Sequence, residues 1–141
     1  MYELAPAYLV ELARQTAFLS AFLGGFAGIM LQMLLPTPGR GRLVATAAGC
    51  AAAAGTAFIV ALTASTMITA VLHPDAPAYV ADSGGVATAR IVSAGMFLLG
   101  LYALLASLGL SGWIRSKTTG LTTSICAGVG AAFVTWAMFG F

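Results

Sequence analysis

Charge is the scarcest feature of this sequence. Only 7% of the 141 residues are Asp, Glu, Lys or Arg, and 60% are apolar, whereas about 25% of a typical soluble domain is charged. So few charges cannot cover a surface that faces water, which excludes a soluble enzyme. The six Lys and Arg residues form no basic patch, which argues against nucleic acid as a partner. We therefore predict an integral membrane protein whose surroundings are the lipid bilayer.

Residue types that bind metals and cofactors are also scarce. The chain has one histidine, His73, two cysteines, Cys50 and Cys126, and no asparagine. Two cysteines match no zinc spacing, and His73 with Asp75 and Asp82 is a poor metal pattern. We interpret the cysteines as small buried apolar residues rather than as a redox pair. The sequence offers no nucleophile, base or metal set, so we expect no enzyme, no cofactor and no metal.

Long apolar runs are what the sequence has in abundance. Four of them reach the roughly 20 residues that a helix needs to cross the hydrocarbon core; they span about 10–35, 43–72, 86–110 and 119–140. Backbone polar groups in lipid need internal partners, and the period-two pattern of a barrel is absent, so the runs predict helices. We expect an all-α, four-helix transmembrane bundle that forms one domain over 1–141, with Gly112 ending the third helix.

Charge asymmetry predicts the orientation of these helices. The first and third loops, 36–42 and 111–118, hold four of the six basic residues, and the other side holds two basic residues with all four acids. The positive-inside rule then places both loops in the cytoplasm and both termini outside. The abundance of Ala and Gly and the short loops are typical of a bacterial protein, so we expect the bacterial inner membrane.

Small residues predict close packing of the first two helices. Ser20, Gly24 and Gly28 form a small-xxx-small row, and Ala45 and Gly49 begin a second row on the next helix. Such rows let helix backbones approach closely, within a chain or between subunits. We therefore expect a non-enzymatic structural or assembly subunit that packs with copies of itself or within a larger membrane complex.

The second row continues into hydroxyl-bearing residues, which leaves an alternative function open. Thr56, Thr63 and Thr66 fall on the same face as Gly49 at the 3.6-residue period. In an oligomeric channel or small-solute carrier they would line the path, whereas in a packed interface they would bond to carbonyls of their own helix. Packing is favoured, because no span carries a charge at its centre and transport pathways often need one.

Charged residues near one end of the bundle are expected to pair. Glu11 and Arg14 are three residues apart on the first helix. Arg90 lies about one turn inside the third helix, where an unpaired charge is costly. Its natural partners are Asp82, Asp75 and Glu11, which lie on the same predicted side. We interpret Glu11 and Arg14 as an outer-side ion pair at the membrane interface rather than as a vestibule that selects solutes. Arg90 paired with an acid such as Asp82 would clamp the outer loop to the bundle, and we favour this role over a binding site.

Overall fold

Four long helices make up the fold. The computed structural model describes residues 6–36, 41–73, 76 and 85–140. Within these residues there is no strand, and the helices are α1 (Pro6–Leu34), α2 (Arg42–Val71), α3 (Val86–Arg115) and α4 (Lys117–Phe139). Each is long and apolar enough to cross a membrane. The predicted all-α, four-helix transmembrane fold is confirmed.

The third helix is longer than predicted, and the turn after it is shorter. α3 continues through Gly112 to Arg115, and Ser116 alone separates it from α4. The Oγ of Ser116 accepts a hydrogen bond from the backbone N–H of Thr119 at 3.1 Å, which caps the N-terminus of α4. The expectations that Gly112 ends a helix and that 111–118 form a loop were therefore wrong. Residue 112 is glycine because α4 packs closely against α3 there, and not because a turn requires a left-handed backbone conformation.

The helices alternate in direction, and α2 is central. It packs along α1 on one side and along α3 on the other, while α1 and α3 meet at few positions. α4 packs along α3. In consequence α2 is the most buried of the four spans and α4 the least. Much of α4 and one face of α2 are exposed, which means that the rest of the chain leaves them uncovered.

The helix contacts follow a seven-residue repeat of mostly small side chains. The buried seam of α2 alternates spacings of four and three residues, through Ala47, Ala51, Ala54, Phe58, Ala61, Ser65 and Ile68. Buried residues recur at every seventh position on α1, at Ala13, Ser20, Ala27 and Leu34. The same interval separates Ser93, Gly100 and Ser107 on α3. This is the 3.5-residue spacing of coiled-coil seams, and small side chains on it allow close backbone approach.

Phe58 is the largest fully buried side chain among the described residues, and Gly100 makes room for its ring. A Cβ built on Gly100 of α3 would lie 2.9 Å from the Phe58 ring. On α1, a Cβ built on Gly24 would lie 3.4 Å from the Cβ of Phe58. Phe97 packs edge-on against the ring, with 5.9 Å between centroids. The Phe58 ring thus packs against α3, while its Cβ lies close to α1.

α4 approaches α3 most closely near the connection between them. A Cβ on Gly112 would collide with the side chain of Thr123, and a Cβ on Gly120 would lie 2.5 Å from the ring of Trp113. The indole Nε1 of Trp113 also donates a hydrogen bond to the Oγ of Ser124 at 2.9 Å. Glycine is required on both helices at this crossing, because either added methyl group would push the backbones apart.

Candidate functional site

The small-residue row predicted on α2 occupies one exposed face of that helix. We call it the α2 face; it consists of Ala45, Gly49, Ala52, Thr56, Thr63, Thr66 and Ala70, all of them exposed. The seam that contacts α1 and α3 lies on the opposite side of the helix. A Cβ built on Gly49 would meet nothing within 4 Å. No contact within the described part of the chain therefore accounts for the small size of these side chains.

The hydroxyl groups of the α2 face bond within their own helix. Thr56 Oγ1 donates to the Ala52 carbonyl at 2.9 Å, Thr63 Oγ1 to the Ile59 carbonyl at 2.9 Å, and Thr66 Oγ1 to the Thr63 carbonyl at 2.8 Å. These protons are used inside the helix, so a molecule on the face meets only the lone pairs of the three oxygens. The arrangement favours a packed interface over a solute path.

The row predicted on α1 is divided between two sides of that helix. Ser20 is 1% exposed and Gly24 lies against Phe58, so both are at the contact with α2. Gly28 is exposed, and a Cβ there would meet nothing within 4 Å. Ala27, three residues after Gly24, is fully buried and takes the place in the core that the row predicts for Gly28. The row turns away from α2 because the contact follows the 3.5-residue seam rather than a strict four-residue step.

Buried serines form polar contacts between α2 and α3 that the sequence analysis missed. The hydroxyls of Ser65 and Ser93 are 2.7 Å apart, and Ser107 Oγ donates to the Ala47 carbonyl at 2.9 Å. By contrast, Ser20 Oγ is buried without a hydrogen-bond partner among the described residues. The signal that could have revealed the contacts is the interval of 14 residues, two heptads, between Ser93 and Ser107 on α3.

The charged residues at the end where α1 begins are arranged differently from the expectation. Glu11 Oε1 accepts a hydrogen bond from Gln15 Nε2 at 3.3 Å. No ion pair joins Glu11, Arg14 or Arg90 within the ranges that the structure describes, and both arginines are exposed. Asp75 and Asp82, two of the three expected partners of Arg90, lie outside the described residues, and the third, Glu11, does not pair with it.

A cleft of about 610 Å³ opens between α1 and α3 at the same end, and we call it the α1–α3 cleft. Leu12 and Thr16 lie on its α1 wall, Arg90 and Phe97 on its α3 wall, and Ile68 of α2 lines it between them. Its lining is mainly apolar, and Arg90 is the one charged residue that the structure places in it. The cleft exists because α1 and α3 both pack on α2 but meet each other at few positions.

The reactive side chains are dispersed. Cys50 of α2 is half-buried and Cys126 of α4 is exposed, and both are free thiols. The expectation of burial was thus wrong for Cys126, because α4 is covered on only one side. Within the described ranges, no three His, Cys, Asp or Glu side chains are grouped to hold a metal ion. Asp75 and Asp82, considered above with His73, lie outside those ranges.

Comparison with known proteins adds no relative. No known protein family, curated protein or solved structure matches the chain.

Proposed function

We propose that the protein is a non-enzymatic structural or assembly subunit of the membrane, and that it forms a homo-oligomer through the α2 face. The observation that carries this proposal is an exposed face of Ala, Gly and Thr, interrupted by the exposed Ile59, on the most buried helix of the fold. In lipid, helices associate by van der Waals packing, which small side chains improve by letting backbones approach. A neighbouring helix would gain contacts on this face that acyl chains do not provide.

A second copy of the chain fits the α2 face because copies share one orientation in the membrane. A twofold axis along the membrane normal would set two α2 helices side by side and oppose the same residues. Ala45 and Gly49, like Ala52 and Thr56, have the four-residue spacing of parallel helix pairs. The threonine protons are already bonded, so such a contact leaves no donor unsatisfied. A helix of a larger membrane complex is the alternative partner.

An oligomeric channel or small-solute carrier is the second candidate function. The exposed line of Thr56, Thr63 and Thr66 is the observation that favours it. Because the inward side of α2 is filled by its own seam, with Phe58 fully buried, a path would lie between copies. Thr63→Val removes a hydroxyl while nearly preserving shape, so it should reduce flux through liposomes if the path exists and change nothing otherwise.

We also propose a bacterial inner-membrane location with both termini outside. Arg42, Arg115 and Lys117 are exposed at one end of the bundle, whereas Arg14 and Arg90 at the other end are accompanied by an acid. The positive-inside rule assigns the first end to the cytoplasm. A C-terminal alkaline phosphatase fusion should be active in cells, and a C-terminal green fluorescent protein fusion should be dark. The reverse result would contradict this orientation.

Disulfide cross-linking in native membranes tests the association. The test variant carries Ala52→Cys with Cys50→Ala and Cys126→Ala; the control carries Cys50→Ala alone and keeps the exposed thiol of Cys126 on α4. The two thiols lie at similar depth, as the eleventh residue of α2 and the tenth of α4. A disulfide needs Cα atoms within about 7 Å, so each variant reports a different face.

We expect a cross-linked dimer from Ala52→Cys and none from the control. Dimers from the control alone would place the contact on α4 and contradict the proposal. A product whose mass is not twice that of the chain would identify a larger complex as the partner. Monomer in every variant would refute association through the α2 face.

A further inference from the structure

We propose that the α1–α3 cleft binds an anionic phospholipid, with the lipid phosphate on the Arg90 guanidinium and an acyl chain in the apolar part of the cleft. This inference does not depend on the proposed oligomer, because the cleft and the α2 face share no residue. It assigns a binding role to the one charged side chain found in the cleft.

The dimensions of the cleft fit part of an acyl chain. Its volume of about 610 Å³ is within the range of roughly 300–1,000 Å³ typical of small-molecule sites. The lining runs from Leu9 to Thr16 on α1 and from Ala87 to Phe97 on α3, which is about 10 Å along α1 and about 15 Å along α3 at 1.5 Å per residue. A chain lying there would contact Leu, Ile and Phe side chains and run along the helices.

Arg90 supplies a positive charge near the end of this cleft where α3 begins. It is the fifth residue of α3, about one turn from the helix start, and it is exposed with no ion pair or hydrogen bond in the described part of the chain. A guanidinium at this depth reaches the headgroup region, and its planar donors match a phosphate in bidentate fashion. Basic pockets between transmembrane helices on the cytoplasmic side bind anionic headgroups for the same reason, and the α1–α3 cleft would do so in the opposite leaflet.

The other polar groups of the cleft are already bonded to the protein. Thr16 Oγ1 donates to the Leu12 carbonyl at 2.9 Å, and the Ser93 hydroxyl is 2.7 Å from that of Ser65. Recognition therefore depends on the charge of Arg90 rather than on a pattern of hydrogen bonds. The site should select lipids by net negative charge, because the ammonium group of a zwitterionic headgroup offsets the charge of its phosphate.

Native mass spectrometry of the detergent-solubilised protein tests the site. The probes are phosphatidylglycerol and phosphatidylcholine with identical palmitoyl and oleoyl chains. We expect the wild type to bind phosphatidylglycerol more tightly than phosphatidylcholine. Arg90→Gln should lower the affinity for phosphatidylglycerol about tenfold, or about 1.4 kcal/mol, and should change the affinity for phosphatidylcholine little. Arg14→Gln is the matched control, since Arg14 is an exposed arginine at the same end that does not line the cleft.

Two further variants separate the headgroup from the acyl chain and keep the test decisive if Arg90→Gln does not fold. Arg90→Lys should retain the preference for phosphatidylglycerol. Ala94→Phe fills the cleft without altering its charge, so it should lower the affinity for both lipids. Equal affinity of the wild type for both lipids would overturn the proposal. Equal losses of phosphatidylglycerol affinity in Arg14→Gln and Arg90→Gln would also overturn it. Tighter phosphatidylglycerol binding by Asp82→Asn would also overturn it, because a protein carboxylate would then be the resident partner of Arg90.

Discussion

Replacing Gly100 with alanine should disrupt the core although it adds only one methyl group. The new Cβ would lie 2.9 Å from Cε1 of Phe58 and 3.0 Å from its Cδ1 and Cζ, well inside ordinary van der Waals contact. The ring has little room to move, because it is fully buried, Gly24 lies beside its Cβ and Phe97 packs at its edge. We therefore expect α2 and α3 to separate slightly.

Three contributions set the size of this effect. Alanine favours the helical conformation over glycine by up to about 1 kcal/mol, and overpacking a core costs about 1–3 kcal/mol. Separation of the helices would also weaken the Ser65–Ser93 and Ser107–Ala47 hydrogen bonds, each worth on average about 0.6 kcal/mol in a membrane protein. The free energy of unfolding should fall by about 1–3 kcal/mol.

Equilibrium unfolding in mixed micelles, followed by circular dichroism, measures this change. Gly95→Ala is the matched control: it lies on the same helix, is exposed, and its added Cβ would meet nothing within 4 Å. It should leave stability unchanged or raise it by up to about 1 kcal/mol. In a Phe58→Leu background, the cost of Gly100→Ala should shrink, because the ring is gone. Equal effects of the two glycine substitutions, or strict additivity with Phe58→Leu, would refute the reasoning.

Two further predictions concern single helix contacts. Ser107→Ala should lower the free energy of unfolding by about 0.6–2 kcal/mol, because it removes a hydrogen bond between α2 and α3. Ser20→Ala should leave the free energy of unfolding unchanged, since the buried Oγ of Ser20 has no partner among the described residues. A larger loss of stability in Ser20→Ala than in Ser107→Ala would contradict these assignments. Gly112→Ala should lower the thermal midpoint in detergent far more than Gly128→Ala, because only the first added methyl group would meet α4 or α3 atoms. Equal midpoints would mean that α3 and α4 do not cross closely at Gly112.

The four spans could be predicted from apolar length because lipid leaves the backbone no alternative to a helix. The end of α3 could not, because a glycine that ends a helix and a glycine that admits a neighbouring helix look alike in sequence. At Gly112 the difference depends on Thr123 of α4, whose side chain occupies the space a Cβ would fill. That contact joins residues on two helices, and no local pattern encodes it.

The sequence predicted which side of α2 is exposed but not which residues of α2 contact the neighbouring helices. The sequence identified the exposed row that includes Gly49 and Thr56 but missed the seam on the opposite side. In a membrane both sides of a helix meet apolar surroundings, so polarity does not distinguish the buried side. Alanines at 51–54 occupy every side of the helix and dilute the spacing of four and three residues. Phe58 of the seam fits against α3 only because residue 100 is glycine, and that pairing joins two helices that no local pattern relates.

The mass of the gently solubilised particle tests association through the α2 face most directly. Native mass spectrometry, or light scattering corrected for detergent, should find a closed homo-oligomer for the wild type. Gly49→Leu should reduce it to a monomer, while Gly128→Leu, at an exposed glycine of α4 with no atom within 4 Å of its added Cβ, should leave it intact. A monomeric wild type, or an oligomer that survives Gly49→Leu, would contradict the account.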